Sequence, residues 1–314
     1  MPLDPQADAL LEQMRQAGVK PFEELTVREA REASWGYVAL AGEPQEVERV
    51  RHTFIPGPTA DLPACIYTPE GDAPRGGIVL FHGSGWVIAN IEICDAAARS
   101  LANSTGCVVV SVNYQKAPEH PFPVPLDDCY AATEWVYAHA DEMGIDRSRF
   151  AVAGDSAGGN LAAAVCLKAR DEGGPEIAFQ CLIYPALDRG WDSASAVENA
   201  EGYGLQRETM RWFWNHYVPD EADGDNPLVS PLRAADLSGL PPAFIATAEF
   251  DPLRDDGESY AERLREAGVQ VTVKRYDGMI HGFYWMLGAL DAAQVLHDDI
   301  AAAVTAALGT RVGA

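Results

Sequence analysis

Phe150-Ala151-Val152-Ala153-Gly154-Asp155-Ser156-Ala157-Gly158-Gly159-Asn160 is the stretch on which the reading of this chain turns. An apolar run that ends in Gly-x-Ser-x-Gly and passes directly into the small, apolar residues 161–167 predicts a strand, a sharp turn and a helix. Ser156 then stands on the turn with its hydroxyl pushed out of the sheet, which makes it the candidate nucleophile. The flanking glycines answer a steric demand. Such a turn forces strained backbone at the serine and brings neighbouring backbone close, which only residues lacking a Cβ allow. In a chain with 28 glycines the pattern alone also fits a packing turn between strand and helix, so its surroundings must decide.

Working outward, residues 77–82 form a continuous apolar run of the kind buried on both faces in a parallel sheet. Further strands are predicted at 107–112, 177–184, 243–248 and 269–275, with helices at 95–104, 125–140, 257–267 and 291–308 between or after them. Strand and helix alternating at this spacing mean βαβ units and a sheet covered on both faces. Two earlier strands, 47–55 and 62–67, turn at Pro56-Gly57-Pro58. Residues 4–42 read as helical and precede the sheet. Residues 191–218 interrupt the alternation with Trp191, Tyr203, Met210, Trp212, Phe213, Trp214 and Tyr217, an insertion placed to roof a site at the strands' carboxyl ends.

The 314 residues carry a formal charge of −24, which argues against nucleic acid and anionic membrane surfaces as partners because both need a basic face. No apolar run approaches the length of a membrane span. The opening Met-Pro-Leu-Asp-Pro-Gln-Ala-Asp has neither the positive nor the apolar region of a secretory leader, so the expected location is cytoplasmic. Six cysteines, Cys65, Cys94, Cys107, Cys129, Cys166 and Cys181, lie scattered without zinc spacing and are expected to be buried thiols. No metal site is expected.

A serine nucleophile needs a base, a group that orients the base, and donors for the oxyanion. His281, in Asp277-Gly-Met-Ile-His281-Gly282-Phe283, is expected to follow the last strand by a short glycine-bearing loop. Asp251, in Glu249-Phe250-Asp251-Pro252-Leu253, follows the strand at 243–248. The order nucleophile, acid, base is that of α/β-hydrolases. Asp255 and Asp256 compete for the acid role, although helix capping is their plainer task, and Glu249 is a weaker rival. The oxyanion donors should be the amide of Ala157 and those of the loop His82-Gly83-Ser84-Gly85-Trp86, where Gly83 shapes the turn and Ser84 and Gly85 donate. Trp86, Asp155 and Trp212 are the expected substrate-binding residues.

Together, His82-Gly-Ser-Gly-Trp86, Asn113-Tyr114 with Ala117-Pro118-Glu119-His120-Pro121-Phe122-Pro123, Gly154-Asp-Ser-Ala-Gly-Gly159, Ser230-Pro231, Asp251-Pro252-Leu253 and His281-Gly282-Phe283 resemble the bacterial hormone-sensitive lipase family of carboxylesterases. The resemblance spans nearly the whole chain. It implies the α/β-hydrolase fold, an eight-stranded mostly parallel sheet with helices on both faces and a helical cap. It divides the chain into cap segments at residues 1–45 and 188–222 and a catalytic domain at 46–187 and 223–314. It further implies hydrolysis of short- to medium-chain acyl esters without a cofactor, and often a homodimer.

Two positions depart from the family pattern. Ser84 stands where the family usually has a second glycine, which is expected to place a side chain beside the oxyanion pocket and disfavour bulky esters. Gln115-Lys116 stands where the family usually has Arg-Leu. The same machinery also serves amide hydrolysis or deacetylation of a specific metabolite. A non-catalytic ligand receptor, similar to the plant gibberellin receptors, is the rival from another class, and the intact His281 argues against it.

Overall fold

The computed structural model describes residues 2–190 and 192–309, so Trp191 of the aromatic insertion lies outside the described residues. In chain order the principal elements are α1 (Pro5–Gln16), α2 (Val27–Ala33), β1 (Arg49–Pro56), β2 (Asp61–Thr68), β3 (Arg75–Phe81), α3 (Asp95–Thr105), β4 (Val108–Val112) and α4 (Val124–Ala138). They continue with β5 (Ile145–Asp155), α5 (Ala157–Glu172), β6 (Phe179–Ile183), α6 (Ala194–Glu198), α7 (Arg207–Tyr217), β7 (Ala243–Phe250), α8 (Arg254–Glu266), β8 (Val271–Ile280) and α9 (Asp291–Leu308).

One eight-stranded sheet has the order β1-β2-β4-β3-β5-β6-β7-β8. β1 and β2 form an antiparallel hairpin, β2 pairs antiparallel with β4, and every later pairing is parallel. Burial follows position in this order. β4 and β6 are buried at every residue, whereas the edge strand β1 is buried only at Ile55 and β8 only from Tyr276 onward, Asp277 excepted. Parallel strands need a crossover between neighbours, and those helices hide both faces of the central strands. α3 packs with α9, and α4 packs with α5, so the two helical layers hold the sheet between them.

The sheet topology places β5 at the centre with β3 on one side and β6 on the other. In open α/β sheets ligands bind beyond the carboxyl ends of the strands, near such central positions. Ser156 follows β5, Asp251 follows β7, and His281 follows β8. The expected glycine-bearing loop before His281 is instead the last part of β8, which runs through Gly278 to Ile280 across a register shift against β7. The irregularity lets the strand continue to the histidine itself. Residues 4–42 are less continuously helical than their pattern suggested: α1 and α2 are separated by an irregular stretch containing a short 3₁₀ turn at Phe22–Glu24.

Candidate active site

The turn between β5 and α5 is built by close backbone contact. A Cβ added to Gly158 would lie 1.9 Å from the Phe81 carbonyl oxygen at the end of β3, and one on Gly154 would lie 2.2 Å from the Gly158 carbonyl oxygen. Neither contact tolerates a side chain. Ser156 itself adopts φ 54° and ψ −119°, a conformation costly for a residue with a side chain. It is held there because its amide donates to the Ile183 carbonyl at 2.8 Å, while its carbonyl accepts from Asn160 and Ala186. The strain turns the Ser156 hydroxyl towards His281.

His281 Nε2 lies 2.9 Å from Ser156 Oγ, and its Nδ1 lies 2.7 Å from Asp251 Oδ2. Asp251 is fully buried, and its Oδ1 accepts the Leu253 amide at 2.9 Å. The carboxylate is therefore fixed through one oxygen and offers the other to the imidazole, which sets the tautomer with the proton on Nδ1. The Tyr184 ring, buried at the end of β6, packs 4.5 Å from the His281 ring. Tyr184 was not singled out from the sequence; its place as the last residue of the apolar strand expected at 177–184 was the available signal.

The rival acids have other partners. Asp256 accepts the Leu187 and Asp188 amides, and Asp255 accepts the Ser195 amide, so both hold the chain entering the insertion rather than capping α8. The N-terminus of α8 has no side-chain cap. Glu249 accepts the Gly278 amide of β8 at 2.7 Å.

Facing Ser156 is the loop after β3. The Gly83 amide donates to Asp155 Oδ1 at 2.8 Å, so it is engaged in holding the loop and is not free for an oxyanion. The amides of Ser84, Gly85 and Ala157 have no acceptor among the described residues. Asp155, expected to bind substrate, is instead buried beneath the site. Burial pushes its carboxyl up to about 7 against the opposing pull of the Gly83 amide and the nearby His281.

Ser84 does not crowd the pocket. Its hydroxyl lies 2.5 Å from the Tyr114 hydroxyl and accepts the Trp86 amide at 2.9 Å, and Tyr114 in turn donates to the His82 carbonyl. The side chain is drawn back into the protein, so the expectation of a group projecting beside the oxyanion is overturned. The Tyr114 ring also stacks on His82, with centroids 4.7 Å apart. Burial drives the His82 imidazole down to about 3, so it is neutral in this stack.

α7 roofs the loop with one face. Met210, Phe213, Trp214 and Tyr217 are buried at helical spacing, and a Cβ on Gly85, whose φ is +52°, would strike the Phe213 ring. Trp86 is fully buried, stacked on Tyr217 at 4.5 Å and tilted against Trp214 at 4.2 Å. It locks loop to helix. Trp212 lies on the other side of α7, half-buried, with edge contacts to Phe213 and His216. Phe213, not its neighbour, covers the loop after β3. The 3.6-residue period of α7 would have separated the two.

Among the described residues, no group of three or more His, Cys, Asp or Glu side chains is placed to hold a metal ion. No described helix is long and apolar enough to cross a membrane.

The alpha/beta hydrolase fold family matches residues 78–285. The chain is 43% identical over 258 residues to a carboxylic ester hydrolase, LipN, of Mycobacterium tuberculosis, covering 80% of this chain and 69% of that one. It is 39% identical over 284 residues to an arylesterase of Saccharolobus solfataricus, covering 90% and 92%. Among solved structures, an ester-hydrolase from the metagenome of Lake Arreo, complexed with a bipyridine phosphonate derivative, superposes with a TM-score of 0.95 at 43% identity over 98% of this chain and 100% of that one. A hyperthermophilic esterase from the archaeon Pyrobaculum calidifontis gives 0.92 at 40% identity, covering 98% and 99%.

Proposed function

The chain belongs to the α/β-hydrolase fold family, in its hormone-sensitive lipase branch, and is a carboxylic ester hydrolase; from that premise we propose that Ser156, His281 and Asp251 carry its chemistry through an acyl-enzyme. The observation behind this is the unbroken relay of 2.7 Å from Asp251 to His281 and 2.9 Å from His281 to Ser156.

In the first half-reaction His281 Nε2 takes the Ser156 proton as Oγ attacks the acyl carbonyl carbon. Asp251 stabilises the imidazolium. The carbonyl electron pair moves onto oxygen, where the amides of Ser84, Gly85 and Ala157 receive it; such donors, preorganised in a dry site, need no reorientation as charge develops. Collapse breaks the ester C–O bond, and His281 returns the proton to the leaving alkoxide. Water then attacks the acyl-enzyme by the same sequence and releases the acid.

Asp155, on this reading, is a positioning residue that spends its carboxylate on the Gly83 amide so that the following two amides face the reaction. The roof of Phe213 and its neighbours, with Ser156 only 9% exposed, supports short- to medium-chain acyl groups as substrates. The aromatic face of α7 and the Phe22 ring, 5.8 Å from Phe213, support a cap made jointly of residues 1–45 and 188–222 over the remaining catalytic domain. Six cysteines, all buried and none in a disulfide, support a reducing, cytoplasmic setting. The family resemblance supports a homodimer.

Labelling with a fluorophosphonate and assays on p-nitrophenyl esters of increasing chain length test the proposal together. Label is expected on Ser156, with turnover falling sharply from butyrate to palmitate. Label on another residue, or full turnover by Ser156→Ala, would refute the assignment.

A further inference from the structure

A cavity of about 490 Å³ lies away from Ser156, against the residues that follow β4. The sheet order β4-β3-β5 puts it two strands from the nucleophile. Its walls include Arg31 and Trp35 from the N-terminal segment, Asn90 from the loop beyond Trp86, and Asn113, Lys116 and His120. The volume is within the range of small-molecule sites.

Lys116 gives the cavity its chemistry. Its Nζ donates to Asn113 Oδ1 at 2.7 Å and to the Tyr114 carbonyl at 3.1 Å, and lies 5.3 Å from the Tyr114 ring centre. An ammonium has three hydrogens, so one is left without an acceptor among the described residues. No described carboxylate is in ion-pair reach of it. Arg31 does not share this condition. It donates to the Val87 and Ala117 carbonyls and pairs with both Glu119 oxygens, so its charge is balanced locally. In a chain of charge −24, this lysine has no carboxylate paired with it and feels Glu92 only from beyond pairing distance. Burial first, and then the Arg31 charge, pulls its ammonium down to about 8.

The other walls define what would complete it. Asn90 Oδ1 accepts the Ile93 amide at 3.0 Å, leaving its NH₂ without an acceptor among the described residues. Trp35 is 50% exposed and offers an aromatic face at the rim. One unbalanced positive charge and a spare amide donor match a monoanion. A phosphate dianion would need a second uncompensated cation, and Glu119 in the same wall repels a dianion more than a monoanion.

We propose that this cavity binds a small organic carboxylate, its anionic head on Lys116 and its hydrocarbon part against Trp35. The site is separate from the ester chemistry and does not depend on it.

Isothermal titration of benzoate, at low ionic strength, into protein whose Ser156 has been capped by a phosphonate tests the site with the catalytic pocket filled. Saturable one-to-one binding is expected, at least tenfold weaker in Lys116→Met. His120→Asp, at an exposed rim position, places a carboxylate at the cavity mouth and should weaken binding about threefold without a core change. Circular dichroism checks that each variant is folded, and His120→Asp decides the matter if Lys116→Met is not. Absence of saturable binding, binding undiminished in the folded variants, or inorganic phosphate binding more tightly than benzoate would each overturn the proposal. Capping itself reports on Ser156, so the two readings fail separately.

Discussion

The two halves of the site are built by different means. Ser156, Asp251 and His281 each stand within one residue of a strand end, and the parallel register of β5 through β8 brings them together. The proposed oxyanion side also begins at a strand end, but its shape is imposed from elsewhere. Asp155 holds Gly83, Tyr114 holds Ser84, Phe213 covers Gly85, and Arg31 reaches from α2 to the Val87 carbonyl. One half is positioned by the sheet and the other by side chains reaching in from four separate segments. Errors on the first side should therefore damage chemistry directly, and errors on the second should spread between chemistry and stability.

The sharpest break is Asp251→Asn. The amide cannot fix the imidazole tautomer that leaves Nε2 free to accept the Ser156 proton, so kcat is expected to fall on the order of 10⁴ with little change in fold. Steady-state kinetics on p-nitrophenyl butyrate, with circular dichroism alongside, measures this. A loss below tenfold would remove the distinction drawn here.

Asp155→Asn probes the other side. Its carboxyl titrates at about 7 in the fold, against ~3.9 in an unfolded chain, because burial disfavours the charge. Between those values the native state holds a proton that the unfolded state has lost, so its contribution to stability is complete below ~4 and declines as pH rises towards about 7. Asparagine has no charge to bury. The melting temperature of Asp155→Asn is expected to gain on the wild type as pH rises through that window and then to hold a constant lead; parallel melting curves at all pH values would contradict it. Its rate should fall far less than that of Asp251→Asn, because the amide oxygen can still accept from Gly83.

The smallest expected effect on chemistry belongs to Ser84→Gly. Because the hydroxyl faces Tyr114 and Trp86, its removal should cost about 1–2 kcal/mol of stability and leave the ratio of kcat/KM for pivalate and butyrate esters unchanged. A shift of that ratio towards the bulky ester would mean that the side chain borders the pocket after all.

Much of the site was legible before any coordinates. A serine between glycines, an aspartate and a histidine each beside a predicted strand end, and a glycine-rich loop after an earlier strand are local patterns, and local patterns survive in one dimension. In the structure these three side chains lie within hydrogen-bond reach of one another. Gly83 and Ser84 were harder. Their types are visible, but whether an amide is free depends on Asp155, 72 residues away, and where a hydroxyl points depends on Tyr114, 30 residues away. The difference between Trp212 and Phe213 was available in the period of α7, yet which face meets the loop depends on how the helix is laid down.

The sequence by itself determined the fold class, the order of strands and helices and the three side chains proposed for the chemistry, because hydrophobic period and glycine placement are set by nearest neighbours along the chain. Only the tertiary structure decided which amides are spent on scaffolding, which way Ser84 turns, and that Lys116 faces a cavity without a paired carboxylate. Hydrogen bonds and charges are satisfied by whatever lies closest in space, and in a wound sheet the nearest group in space is seldom the nearest in the chain.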